Sequence, residues 1–439
     1  LNVAKRSLEA AIARDPDFAA AHAGLARYYQ AVWSRLRDPE EGVRLGVAAA
    51  ERAVALDPGS SEALQERGNF HFWHYRYRGD YGAYIAAQAD LQRAIELDPS
   101  NSLAFEDLGW AMLWHAPDEA SSLLERAIQL DLLCTGPNIL IAVIQGSRGH
   151  LQAARERCAD LLRRAPDAKE CSMSVAALET YFGHFEQAVP HLRALEKSIG
   201  GAARNQLWAV HMSMGDRAGA QKWLDFGKAP YQKALVEAAR HAMEGRHEQA
   251  FAVLELHRAE HPQDHRLDLP SAKFALLAGQ PQRALEILEQ RVPDLVRGIE
   301  PISARNVLPA LDLATAQLGT GARDQASALL ERIAAHLDGP GALRLPMFAF
   351  QRARGHALAG ETDAALRALD RAYDEGLRTT WALDLRPQHL LYIDPIEADP
   401  AFLGLRDDPR FKRWLERIKA DNARQLEALT VRDAARPAG

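Results

Sequence analysis

Three histidines, His257, His261 and His265, fall four residues apart, with Glu260 and Asp264 between them. On one unbroken helix that spacing sets their rings along a single face, the arrangement a transition metal requires. Pro262 interrupts the run, because proline lacks the amide hydrogen and clashes with the preceding turn. The third ring therefore leaves the line, and the expectation is surface histidines beside a turn, with no metal. His71 and His74 lack a third ligand nearby, and His247-Glu248 is not followed by the second histidine of a zinc-protease helix. The glycine loops that cradle phosphates are missing, as is the Gly-x-Ser-x-Gly turn that presents a nucleophile. Neighbouring carboxylates such as Glu40-Glu41 and Asp407-Asp408 read as cap and solvent residues. No catalytic residue and no cofactor is expected, and the chain reads as a non-enzyme. The remaining concentration of interest is aromatic: Phe70, Phe72, Trp73, Tyr75, Tyr77, Tyr81 and Tyr84, followed by Phe105, Trp110 and Trp114. Such side chains either fill a core or anchor a bound segment of another protein.

The elements that carry these residues decide between those roles. The chain has 439 residues, 47% hydrophobic and 26% charged, with a net charge of −6. That apolar content suits a folded chain rather than disorder. The charge argues against a basic nucleic-acid surface. The strongest apolar run, Ile139 to Ile144, is far shorter than the ~20 residues a membrane span needs, so neither nucleic acid nor membrane is an expected partner. Cys134, Cys158 and Cys171 form an odd, sparse set without a CxxC pair. That usage points to a reducing compartment, hence a cytoplasmic protein, with the periplasm as alternative. No signal peptide is visible. The chain begins at Leu1 inside what reads as a helix, which suggests an excised or processed chain.

Helix punctuation recurs along the sequence. Asp15-Pro16, Asp57-Pro58, Asp98-Pro99 and Asp131-Leu132 each close an apolar run. Small residues precede the first three: Ala11 and Ala4, Ala53 and Gly46, Ala94 and Ala87. Small side chains at that spacing let two helices approach closely. Further on, the mark becomes Gly-x-x-x-x-Ala, at Gly149, Gly183, Gly215, Gly245, Gly279, Gly321 and Gly360. The small positions of the second helices are then Gly46, Ala87, Ala120, Ala154, Ala188, Ala220, Ala250, Ala284, Ala326 and Ala365, spaced 30 to 42 residues apart. This gives ten helix pairs, preceded by a half-unit at residues 1–16. Twelve residues before six of these alanines lie Ala142, Ala176, Ala238, Ala272, Ala314 and Ala353, with Trp208 the misfit. Ser34–Gly42 and Trp73–Ala86 read as insertions. Residues 376–439 read as a separate cap and tail that covers the last apolar face, running through Trp381, Asp394-Pro395, Asp399-Pro400 and Asp408-Pro409.

Ala104-Phe105-x-x-Leu108-Gly109-x-Ala111-Met112 resembles the first helix of a tetratricopeptide repeat, as do, more loosely, the stretches from Ala63 and Ala21. The resemblance implies an all-α, right-handed superhelical solenoid over residues 1–375, its register surest over 1–190. In that family the second, fifth, ninth, twelfth and thirteenth positions of the first helix line a groove. Here they place Gln65, Asn69, Phe72, Trp73, Glu106, Trp110 and Trp114 on one wall, flanked by Arg27 and Gln30. Some family members grip a partner's terminal carboxylate with a clamp of basic and amide residues. The corresponding positions here carry Ala23, Arg27, Glu66, Leu103 and Asp107, which do not match it. Lys273, Arg266 and Arg354 read as a scattered, solvated face. Ala23–Ala26, Ala89–Pro99 and Asp399–Phe411 together resemble the C-terminal repeat region of bacterial signalling proteins, where it follows a nucleotide cyclase or a winged-helix domain with a TolB-like region. No residue of either domain is present. The expected function is regulatory binding of a partner protein or peptide in the groove. A small-molecule sensor and a self-assembly scaffold are the alternatives.

Overall fold

A computed structural model describes residues 2–32, 39–224, 229–339, 343–379 and 396–434. Most of the predicted Ser34–Gly42 insertion lies outside the described residues, as do Trp381, Asp394-Pro395 and residues 435–439. Every regular element among the described residues is a helix, and the chain divides into two compact units, Leu1–Ile141 and Ala142–Gly439.

The first unit holds α1 (Asn2–Arg14), α2 (Ala19–Val32), α3 (Pro39–Leu56), α4 (Ser61–Arg78), α5 (Tyr81–Leu97), α6 (Ser102–Met112), α7 (Pro117–Leu130) and the start of α8 (Gly136–Ser147). The predicted turns explain where these helices stop. Asp15, Asp57, Asp98 and Asp131 each donate their amide to the carbonyl four residues back, at 2.9–3.0 Å. Each carboxylate then accepts the amide two residues on, at 2.9–3.1 Å. That side-chain bond replaces the next helical one and turns the backbone. Asp131 does this without a following proline, so the aspartate, not the proline, is the common cause.

Small residues set the approach of neighbouring helices, both within a pair and between consecutive pairs. Ala53, Ala87, Ala94 and Ala120 are fully buried. Gly46 is tighter still, since a Cβ there would overlap the Phe70 ring, itself 1% exposed. Gly46→Ala is expected to lower stability by about 1–3 kcal/mol through overpacking. Urea unfolding measures this; an unchanged midpoint would contradict the packing described. The predicted insertion at Trp73–Ala86 is not an added loop. Its residues lengthen α4 and α5, which a two-residue turn at Gly79-Asp80 connects.

The second unit runs through α9 (Leu151–Arg164), α10 (Lys169–Tyr181), α11 (Phe185–Ile199), α12 (Gly201–Ser213), the short α13 (Arg217–Gln221), α14 (Pro230–Met243), α15 (His247–Glu260), α16 (Asp268–Leu277), α17 (Pro281–Arg291), α18 (Pro293–Val296), α19 (Val307–Gly319), α20 (Arg323–Leu337), α21 (Pro346–Leu358) and α22 (Thr362–Asp374). All seven predicted turn glycines have φ between 70° and 86°. In each turn the residue after the glycine donates to the carbonyl five residues back, at 2.8–2.9 Å. This is the left-handed helix stop that glycine adopts without steric cost. The alanines predicted from those glycines, from Ala154 to Ala365, are fully buried. Among the described residues, α2/α3, α4/α5, α6/α7, α10/α11, α12/α13, α14/α15, α16/α17, α19/α20 and α21/α22 pack as consecutive helix pairs in the order expected.

Two features of this unit depart from the expectations. Cys158 and Cys171 are joined in a disulfide between α9 and α10, with Cα atoms 5.5 Å apart, and Cys134 alone is free. Cysteine usage therefore gives no support to a reducing compartment. The final helix, α23 (Pro409–Ala434), does more than cover the last pair. Phe411, Trp414, Leu415 and Ile418 pack with Ala365, Leu366 and Leu369 of α22. Leu429 joins Phe185, Val189 and Leu192 of α11 and Leu207 of α12. Gln425 Oε1 accepts the Phe185 amide at 2.8 Å, and Asn422 Nδ2 donates to the carbonyls of Ser213 and Arg378 at 2.7 and 2.6 Å. The tail thus ties the end of the unit back to its early helices.

The first helices of the pairs are also buried across their width here. Ala272 through Leu276 on α16, Val307 through Gln317 on α19 and Pro346 through Gln351 on α21 are all buried. Loop residues contribute to this filling, Glu300, Ser303, Leu343 and Leu345 being buried, and so does Phe402 on the short 3-10 helix Pro400–Leu405.

Candidate functional site

In the first unit, α2, α4 and α6 are the first helices of consecutive pairs and lie side by side. Arg27 on α2 donates through Nε to Glu66 Oε1 at 2.6 Å and through Nη2 to Gln65 Oε1 at 3.2 Å, while Nη1 stands 3.2 Å from Glu62 Oε1. Gln65 Nε2 donates onward to Asp107 Oδ2 on α6 at 2.5 Å. Asn69, one turn along α4, also hydrogen-bonds Asp107, while its own Oδ1 is buried and accepts no hydrogen bond. Glu106 adjoins Asp107 and packs against Gly136, where any Cβ would overlap its carboxyl. Among the described residues, no hydrogen bond or ion pair reaches Glu106.

This face concentrates uncompensated negative charge. Burial pushes the Glu106 carboxyl up to about 7, helped by Asp107 and Asp131. Burial likewise raises Glu66 to about 7, with Arg27 opposing and Asp107 and Glu62 adding to the rise. Asp107 goes to about 6 by burial, against the hydrogen bonds from Gln65 and Asn69. Burial raises the thiol of Cys134 to about 11, and Glu106 and Asp131 push the same way. The Arg27–Glu66 pair is unequal. Burial works against the guanidinium, but Glu66, Glu62 and Asp107 outweigh it and hold Arg27 above its usual value. One guanidinium thus serves several carboxyls, and a deeply buried carboxylate needs more than a shared partner.

Beside the acids stands an aromatic group. Trp73 on α4 meets Trp110 on α6 edge-on at 5.3 Å, and Phe72 lies 5.9 Å from Trp110. The Arg76 guanidinium sits over these rings, 5.1 Å from Trp73 and 5.6 Å from Trp110, a cation–π arrangement.

The nine residues singled out from the sequence separate into three groups. Arg27, Gln65, Asn69 and Glu106 belong to the polar part, and Phe72, Trp73 and Trp110 to the aromatic part. Gln30 and Trp114 are half-buried and make no ring contact, hydrogen bond or ion pair with either. Gln65, Asn69, Phe72 and Trp73 are buried, between 1% and 8% exposed. They therefore support the face from beneath instead of lining it, whereas Arg27, Glu106, Asp107 and Trp110 stay half-exposed. Sequence reasoning set Glu66 and Asp107 aside for failing to match a carboxylate grip, and it missed Glu62 and Arg76. The available signal was that Glu66 and Asp107 hold equivalent positions on consecutive first helices, each directly after Gln65 or Glu106.

Elsewhere the expectations need correction or completion. Lys273 and Arg354 are not solvated: they are 3% and 1% exposed and paired with Asp312 and Asp399. Arg266 is half-buried, paired with Asp264 and stacked over Tyr231. The His257 and His261 rings lie 4.5 Å apart, and His265 Nδ1 stands 2.9 Å from Asp268 Oδ2.

Comparison with known proteins gives no family-model match and no match to a curated protein. Among solved structures, the chain is similar to Pseudomonas aeruginosa pilF at 22% identity and a TM-score of 0.33, over 43% of this chain and 80% of that one. It is similar to YrrB, a tetratricopeptide protein described as having an unusual peptide-binding site, at 19% identity and a TM-score of 0.30, over 44% and 93%. A tetratricopeptide repeat protein from Parabacteroides merdae gives 13% identity and a TM-score of 0.30, over 69% and 99%. Superpositions this loose carry no argument about function.

Proposed function

We propose that this chain is a non-catalytic interaction module that holds an extended segment of a partner protein, or a peptide, on the α2–α4–α6 face of its first unit. The observation that carries the reading is the contrast between the units. The first helices of α16/α17, α19/α20 and α21/α22 are filled over by their own chain, whereas α2, α4 and α6 keep charged and aromatic side chains half-exposed. Half-exposed tryptophan and arginine around a desolvated centre is the composition of binding hot spots. The resemblance to repeat regions of bacterial regulators suits a docking arm of a larger signalling protein. The Cys158–Cys171 disulfide favours an oxidising compartment. No helix among the described residues is long and apolar enough to cross a membrane.

Trp114, half-buried in the turn just after α6 and without a ring contact to Trp73 or Trp110, offers a test that spares the aromatic group. Trp114→Ala, alone and with Trp110→Ala, is expected to weaken binding of a labelled pool of capped octapeptides at least tenfold, read by fluorescence anisotropy. The single variant should remain folded with a cooperative thermal transition, so that the loss of binding is read on a native chain. A pool that fails to bind the parent chain contradicts the reading.

A further inference from the structure

We infer that the segment held on this face is cationic: an extended peptide that presents an arginine or lysine to Glu106 and Asp107, with Asn69 Oδ1 beside them as a third acceptor. The inference rests on the peptide-holding reading above and names the chemistry of the occupant.

Three observations carry it. Glu106 is a half-buried carboxyl with no hydrogen-bond or ion-pair partner among the described residues, and Gly136 leaves room for it only because a side chain is missing there. Removing a carboxylate from water without a partner is costly. Asn69 Oδ1, on a side chain 1% exposed, lacks a donor, while the neighbouring Asp107 already takes the amides of Gln65 and Asn69. What is missing is therefore hydrogen-bond donors and positive charge, both of which an ammonium or guanidinium supplies. An acidic side chain supplies neither and would meet Glu62, Glu66, Glu106 and Asp107. Arginine fits better than lysine, because its planar fork donates to two or more acceptors at once. The rings next to this site already stack a guanidinium, that of Arg76.

The charge balance adds a pH dependence. The titratable or charged groups facing Glu106 and Asp107 are Arg27 from α2, Glu62 and Glu66 from α4, and Asp131 and Cys134 from the turn before α8. Burial holds Glu106 and Glu66 near 7 in the empty site, so a cation must compete with protons below neutrality. Affinity rises between pH 5.5 and pH 8 and falls as the carboxyls protonate.

The test uses the full chain and three labelled pools of capped octapeptides, identical except for a fixed central arginine, citrulline or glutamate. Citrulline keeps the shape of arginine and removes the charge. At pH 8 the arginine pool is expected to bind at least tenfold tighter than the other two, with the preference shrinking several-fold at pH 5.5. Glu106→Gln should remove the preference. Glu119→Gln, on the exposed side of α7 and equal in charge change, should leave it intact and so exclude attraction by net charge alone. Equal binding of the citrulline or glutamate pool overturns the cationic inference and leaves the peptide-holding reading standing. Arginine-pool binding that ignores both Glu106→Gln and Asp107→Asn also overturns it, by placing the cation elsewhere. Failure of all three pools overturns both.

Discussion

Asp312→Ala is expected to lower the stability of this protein by about 3–5 kcal/mol, the range for breaking a buried ion pair from one side. Asp312 on α19 accepts from Arg354 Nη2 at 2.9 Å and from Lys273 Nζ at 3.3 Å. Asp399 Oδ2 completes the group, 2.8 Å from Arg354 Nε and 3.8 Å from Lys273. All four side chains are at most 4% exposed. Among the described residues, two cations face two carboxylates in this group, so taking away one member leaves a buried charge in excess. Removing Asp312 leaves Arg354 and Lys273 to share the carboxylate of Asp399, a surplus of positive charge that the guanidinium cannot relieve by losing a proton. Urea unfolding of the full chain measures the loss. A cost below about 1 kcal/mol would show that the network is solvated after all. Removing charges in pairs, with Asp312→Leu and Lys273→Met together, should cost less than Asp312→Ala alone, because no surplus cation stays behind at Lys273. Burial opposes ionisation of Asp399, but Arg354 and Lys273 hold its carboxyl below the ordinary range. Its contribution is therefore present at neutral pH and fades as pH falls through the lowered value.

The first unit should show the opposite response. A carboxyl raised on folding favours the folded state when protonated. That contribution is complete below the ordinary value of about 4.5 and is gone once pH exceeds about 7. In the absence of a partner, amides of α4 and α6 should therefore be better protected from hydrogen exchange at pH 5.5 than at pH 8, after correction for intrinsic exchange rates. Glu106→Gln should flatten the trend and raise protection at pH 8. Protection that instead increases toward pH 8 would mean that the acids are already compensated, which would contradict the need for a cation. A folded state that is less stable with its site ionised and empty is what a binding face shows when its ligand supplies the missing charge.

The sequence shows the array far better than the site, and the reason is physical. Helix stops and close approaches are local demands on single residues. An aspartate that caps its own turn or a glycine at positive φ can be read one position at a time, and so can the buried alanines opposite them. Glu66, Asp107, Lys273 and Arg354 differ, because their state depends on what a helix about forty residues away presents to them. Lys273 on α16 reads as solvated until Asp312 and Asp399 are seen beside it. Glu66 and Asp107 read as a failed carboxylate grip until Arg27 and Gln65 are seen to link them. The return of α23 to α11 and α12 is equally illegible, since an amphipathic terminal helix has the same pattern whether it covers one pair or joins two. Phe72 and Trp73 lie on α4 but are buried, because register alone does not give the depth at which a side chain lies.

The most direct test of the central claim is hydrogen–deuterium exchange of the full chain at pH 8, with and without a saturating arginine-centred octapeptide pool. Slowed exchange in α4 and α6, with α16, α19 and α21 unchanged, is the predicted result. Protection confined to the second unit, or none in the first under saturation, would contradict the account.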